Sequence, residues 1–70
     1  MGMTFSQAFR DLLKKSGMTQ AEYSRRSGFS TAYVSMLASG EIADPKFEKA
    51  CAIADALDVS LEDFRSLMKD

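Results

Sequence analysis

Few side chains in this sequence could do covalent or proton-transfer chemistry. There is no histidine, which removes the commonest general base and the commonest metal ligand. The one cysteine, Cys51, cannot close an internal disulfide, and no metal-ligand spacing surrounds it. Serines are plentiful but stand in no pattern that supplies an activating base. Lysine and carboxylate chemistry is open on composition alone, yet 70 residues of helical pattern leave little room for a cleft. The expectation is a chain that is not an enzyme and takes no cofactor or metal.

What is left is recognition by hydrogen bonds, charge and apolar contact. The stretch TQAEYSRRSGFSTAYVSMLASG, residues 19–40, reads as two short helices around a glycine-containing turn, a layout suited to a helix that enters a DNA groove. From Ser27 to Gly40, however, no residue is charged. The net charge of −1 is unevenly spread. Residues 1–26 carry Arg10, Lys14, Lys15, Arg25 and Arg26 against Asp11 and Glu22, a balance of +3. Residues 27–70 carry four basic and eight acidic side chains, a balance of −4. A local basic patch is therefore compatible with a slightly acidic whole, and so is a set of ordinary solvated helix faces.

A chain of this length buries only about 60% of its unfolded surface, and an apolar fraction of 46% is enough to fold one small domain. Apolar runs stay far short of the roughly 20 residues that span a bilayer. The opening MGMTFSQAF lacks a basic start and a long apolar core, so no secretory leader and a cytoplasmic location are expected.

The elements that must position the recognition groups are helical, since no strand-like alternation of useful length appears. Phe5, Ala8, Phe9, Leu12 and Leu13 line one face of a helix over about 5–15, opened by a Thr4…Gln7 capping box and stopped at Gly17. Thr19…Glu22 is a second capping box, for a helix over 19–26 that buries Ala21, Tyr23 or Ser24. After Gly28 and Phe29, Ser30 caps a helix over 30–38 with Val34 and Leu37 inward and Thr31, Ala32, Tyr33, Ser35 and Met36 outward. Asp44-Pro45 reads as an N-cap with proline at the first helical position, starting a helix over 45–57. Its apolar stripe is Phe47, Ala50, Cys51, Ala54 and Leu57, with Ile53 beside it. A last helix over 60–68, capped by Ser60, has Leu61, Phe64, Leu67 and Met68 along its apolar side, where Phe64, Leu67 and Met68 could close the core or pair two copies. The fold class expected is all-α: one compact five-helix domain over 1–70.

In order and spacing, these features resemble the helix-turn-helix of the phage repressor and Cro (xenobiotic-response-element-like) family over roughly residues 5–67. Gly28 falls at the turn glycine, Val34 and Leu37 at the two buried positions of the second helix, and Ser24 at the small residue where the helices touch. Pro45-Lys46-Phe47 resembles the loop-to-helix step of lambdoid repressors, and residues 56–64, ALDVSLEDF, the usual family ending. The resemblance implies a transcriptional regulator of the repressor type, bound as a homodimer to two-fold double-stranded DNA. Gln20 would donate to a phosphate, Tyr33 would lie against one, and Lys46 coincides with a basic position of lambdoid repressors. Thr31, Ala32, Ser35 and Met36 would read base edges, with Ser30 at the helix tip.

The chain departs from the family at several points. Its reading helix has no Arg, Gln or Asn, the residues that make bidentate base contacts. The loop Glu41-Ile42-Ala43-Asp44 is acidic where relatives are often basic, and Ser27 replaces a usually apolar residue. Leu13 and Ala38 stand where many relatives keep an Arg–Glu ion pair; replacing both partners by apolar groups can be neutral or stabilising. Reading would then rest on methyl contacts, hydroxyls and DNA shape. Phosphate attraction would come from Lys14, Lys15, Arg25, Arg26 and Lys46, although Arg25 and Arg26 could equally complement a helix C-terminus. The alternative is a protein-interaction module on the same fold, antitoxin-like or accessory, with Tyr33 and Met36 as anchors.

Overall fold

The computed structural model describes residues 2–69, in which five helices follow one another: α1 Phe5–Ser16, α2 Gln20–Ser27, α3 Thr31–Ser39, α4 Phe47–Ala56 and α5 Leu61–Met68. Hydroxyls start four of them. Thr4 Oγ1 accepts the Gln7 N–H at 3.2 Å while Gln7 Oε1 accepts the Thr4 N–H at 2.9 Å. Thr19 and Glu22 repeat that reciprocal cap on α2 at 3.1 and 3.0 Å, and Ser60 and Asp63 repeat it on α5. Ser30 Oγ accepts the Tyr33 N–H at 3.1 Å at the head of α3. Each bond satisfies an N–H that a helix start leaves without a partner.

α4 begins differently from the sequence expectation. Asp44 and Pro45 lie in the connection rather than in the helix, and Lys46 occupies the N-cap in an extended conformation (φ −62°, ψ 155°) with no side-chain cap. The backbone still closes, because the Lys46 carbonyl accepts the Ala50 N–H at 2.8 Å. An Asp-Pro pair suits an extended connection as well as a helix start. The first turn of α4 overhangs the core: residues 46–49 are all exposed, and Phe47 is 74% exposed rather than buried. Burial is carried by Ile53, Ala54 and Leu57, with Ala50 and Cys51 only half-buried. In α2, likewise, Tyr23 and Ser24 are buried and Ala21 is not.

Each helix packs chiefly on two others, and the packings close a ring: α1 on α3, α3 on α2, α2 on α4, α4 on α5 and α5 back on α1. Aromatic residues mark the joints. Phe5 of α1 stacks on Phe64 of α5 with centroids 4.7 Å apart, and Phe9 meets Tyr23 of α2 edge-on at 5.1 Å. The buried Tyr23 hydroxyl donates to the Ile53 carbonyl at 2.8 Å, tying α2 to α4. Leu13 and Ala38 are both buried, so at these two positions α1 and α3 meet through apolar contact.

Left-handed backbone ends α2 and α3 at Gly28 (φ +82°) and Gly40 (φ +94°). α4 has no glycine there; Asp58 takes the left-handed turn at φ +62°. A β-carbon at Gly28 would meet nothing within 4 Å, whereas one at Gly40 would stand 3.3 Å from Ser6 Oγ. Gly28→Ala is expected to cost about 1–2 kcal/mol from backbone strain alone, and Gly40→Ala about 2–3 kcal/mol. Urea unfolding midpoints would check the order; equal losses would mean that Ser6 moves aside freely.

Candidate nucleic-acid interface

The α2–α3 connection, Gly28-Phe29-Ser30, is stapled by serine hydroxyls. At its start the Gly28 N–H donates to the Ser24 carbonyl at 3.0 Å. The buried Ser24 hydroxyl donates across the turn to the Phe29 carbonyl. Ser27 donates its hydroxyl to the Ser24 carbonyl at 3.3 Å and accepts the Phe29 N–H at 3.1 Å. A hydroxyl here does by hydrogen bonding what an apolar side chain would do by packing, and it holds the angle between the helices.

Phe29 then locks the turn to both helices. Its ring lies 6.5 Å from Tyr23 and 5.0 Å from Tyr33. α3 buries Val34, Leu37 and Ala38 against α1 and α2, which leaves its opposite side uncovered. Thr31, Ala32 and Ser35 are exposed there, as is Ser30 at the tip, and Met36 is half-buried. Tyr33 differs from the outward position expected of it: it is half-buried, its ring committed to Phe29. Gln20, the first residue of α2, and Lys46 are exposed.

Lys15 is paired with Asp11 at 3.0 Å, one helical turn away. Arg65 faces Glu62 at 3.9 Å, both well exposed, a contact worth little. Glu22 is held below the usual carboxylate range first by the Thr19 N–H and then by the Thr19 hydroxyl. That cap is therefore fully formed at neutral pH and weakens as acid protonates the carboxylate. In the loop after α3, the Met36 carbonyl takes the N–H groups of Gly40 and Ile42, Ile42 tucks against the core, and Glu41 and Asp44 stay exposed. One residue absent from the sequence reading enters here: Lys49 of α4, whose Nζ lies over the rings of Phe29 and Tyr33. Nothing local signals it, because the contact joins separate helices.

Two short helices held at a serine-stapled glycine turn, the second with one side buried and one side free, define a helix-turn-helix. A helix-turn-helix family model matches residues 9–64. The chain belongs to that family, of the phage repressor and Cro type, whose fold is that of DNA-binding regulators rather than enzymes. No curated protein and no solved structure matches the chain. Among the described residues no helix is long and apolar enough to cross a membrane.

Proposed function

We propose that this protein is a sequence-specific DNA-binding transcriptional regulator of the repressor type, reading the major groove with α3. The observation that carries the reading is the free side of α3: Ser30, Thr31, Ala32 and Ser35 are exposed on a helix whose other side is anchored in the core. A major groove about 12 Å wide admits one such helix. Ala32 and Met36 offer methyl groups to thymine, and Thr31 and Ser35 offer single hydrogen bonds to base edges. Gln20, Tyr33 and Lys46 meet the phosphates, and Ser30 adds a contact to its capping role. The functional unit is a homodimer on a two-fold operator with half-sites about 34–36 Å apart. Met68, 39% exposed, is available for pairing, whereas Phe64 is committed to the core. With about three to five phosphates per half-site, affinity is modest and strongly salt-dependent.

The interaction-module reading loses part of its support, because the Tyr33 ring that would anchor a protein partner already packs on Phe29. Amide NMR shifts during titration with a random-sequence duplex test the two. DNA binding predicts shifts centred on Gln20, residues 30–36 and Lys46 that shrink as salt is raised to physiological levels. No shifts at low salt would overturn it and turn the search to a protein partner.

A further inference from the structure

The recognition helix carries no charge of its own, yet a cation is brought to its edge from elsewhere in the chain. Lys49 lies in the first turn of α4, and its Nζ stands 5.4 Å from the centroid of Phe29 and 5.7 Å from that of Tyr33. The two rings are 5.0 Å apart and inclined by 42°, so they form a shallow aromatic cradle under the ammonium. Such a cradle attracts a cation through the ring quadrupoles without neutralising it. Among the described residues Lys49 makes no ion pair, unlike Lys15 with Asp11 or Arg65 with Glu62. The residue is exposed, and so are its chain neighbours Phe47 and Glu48.

We propose that Lys49 is a backbone-phosphate contact of this protein on DNA, pre-positioned by Phe29 and Tyr33. The inference rests on the DNA-binding reading and names a residue of that interface which the recognition helix itself does not supply. A free lysine gives up rotamer freedom when it settles on a phosphate; the two rings offer this one a preferred position without tying it up in an ion pair. Tyr33 belongs to the proposed contact face, so the ammonium stands at the rim of that face, where backbone phosphates flank an inserted helix. Phe29 and Tyr33 thereby couple the α2–α3 turn to a charge on α4. The uncharged stretch of residues 27–40 is compensated through space.

The test measures binding of the full chain to a short random-sequence duplex over a range of salt, for the wild type, Lys49→Gln, Lys49→Arg and Lys69→Gln. Lys69 follows α5, which packs on α1 and α4, and its substitution removes the same charge away from the cradle. Lys49→Gln is expected to bind about 5- to 10-fold more weakly at low salt and to flatten the slope of log K against log salt by about 0.9, one phosphate's worth. Lys49→Arg should keep the slope, and Lys69→Gln should match the wild type. A wild-type slope in Lys49→Gln overturns the proposal, and if its melting temperature falls while the slope holds, Lys49 is a structural cation–π partner only. An equal slope change in Lys69→Gln also overturns it, by showing a general charge effect. Failure of the wild type to bind at low salt is a different result, which removes the DNA reading itself and the proposal with it.

Discussion

Tyr23→Ala is expected to remove a large share of the chain's folding free energy at 25 °C. Tyr23 is fully buried, meets Phe9 edge-on, faces Phe29 and donates to the Ile53 carbonyl, so it joins α1, the α2–α3 turn and α4. Truncating a buried aromatic ring costs about 3–5 kcal/mol, and a 70-residue chain has only about 3.5–10 kcal/mol in total. Tyr23→Phe should cost far less, about 1 kcal/mol, because the Ile53 carbonyl keeps the Leu57 N–H as a partner. Circular dichroism with urea titration would separate the two; a Tyr23→Ala variant with a near-native midpoint would show that the aromatic joint is not central. The same pair reports on alkali. Burial, and then the charge that Tyr33 acquires, push the Tyr23 phenol well above its ordinary value of 10.0. Its contribution is fully present below about pH 10, where both states hold the proton. Above that the unfolded chain releases a proton that the folded chain keeps, so stability falls by up to about 1.4 kcal/mol per pH unit. Tyr23→Phe should lack this component of the decline.

Ser35→Glu is expected to weaken DNA binding by about 100-fold or more at low salt while leaving the fold intact. Ser35 is exposed in the middle of α3, and glutamate is at least as good a helix former as serine, so unfolding midpoints should barely move. In the proposed complex the change removes one hydrogen bond, worth about 1 kcal/mol. It also places a carboxylate against a duplex that carries one charge per roughly 1.7 Å. A combined loss of about 2.7 kcal/mol is 100-fold in affinity. Fluorescence anisotropy with a labelled duplex measures it. Wild-type affinity in Ser35→Glu would mean that α3 is not the helix against the DNA, whatever else binds.

Much of the architecture could be read from short-range signals. The Thr4, Thr19 and Ser60 caps each join a hydroxyl to a partner three residues on, so spacing alone announces them. Gly28 and Gly40 stand at helix ends because few other residues tolerate their backbone angles. The free face of α3 was legible for the same reason: Val34 and Leu37 name the buried side, and what is not buried is offered outward. Phe47 was misread. A periodic stripe says which face of α4 is apolar but not how far along that helix the core extends, and the first turn lies beyond it. Tyr33 occupies an outward position by spacing, yet Phe29 reaches it across the turn and half-buries it.

The line between the two kinds of information follows the range of the forces. The hydroxyl-capped helix starts and the glycine stops arise from bonds and rotamer limits acting within about four residues, so the order of amino acids carries them. Which helices close the ring, where the Asp44-Pro45 connection leaves α4, and how Lys49 comes to lie over Phe29 and Tyr33 depend on side-chain surfaces fitting across elements distant in the chain. Packing is specific to shape rather than to spacing. The uncharged α3 therefore acquires its neighbouring cation only once the chain is folded.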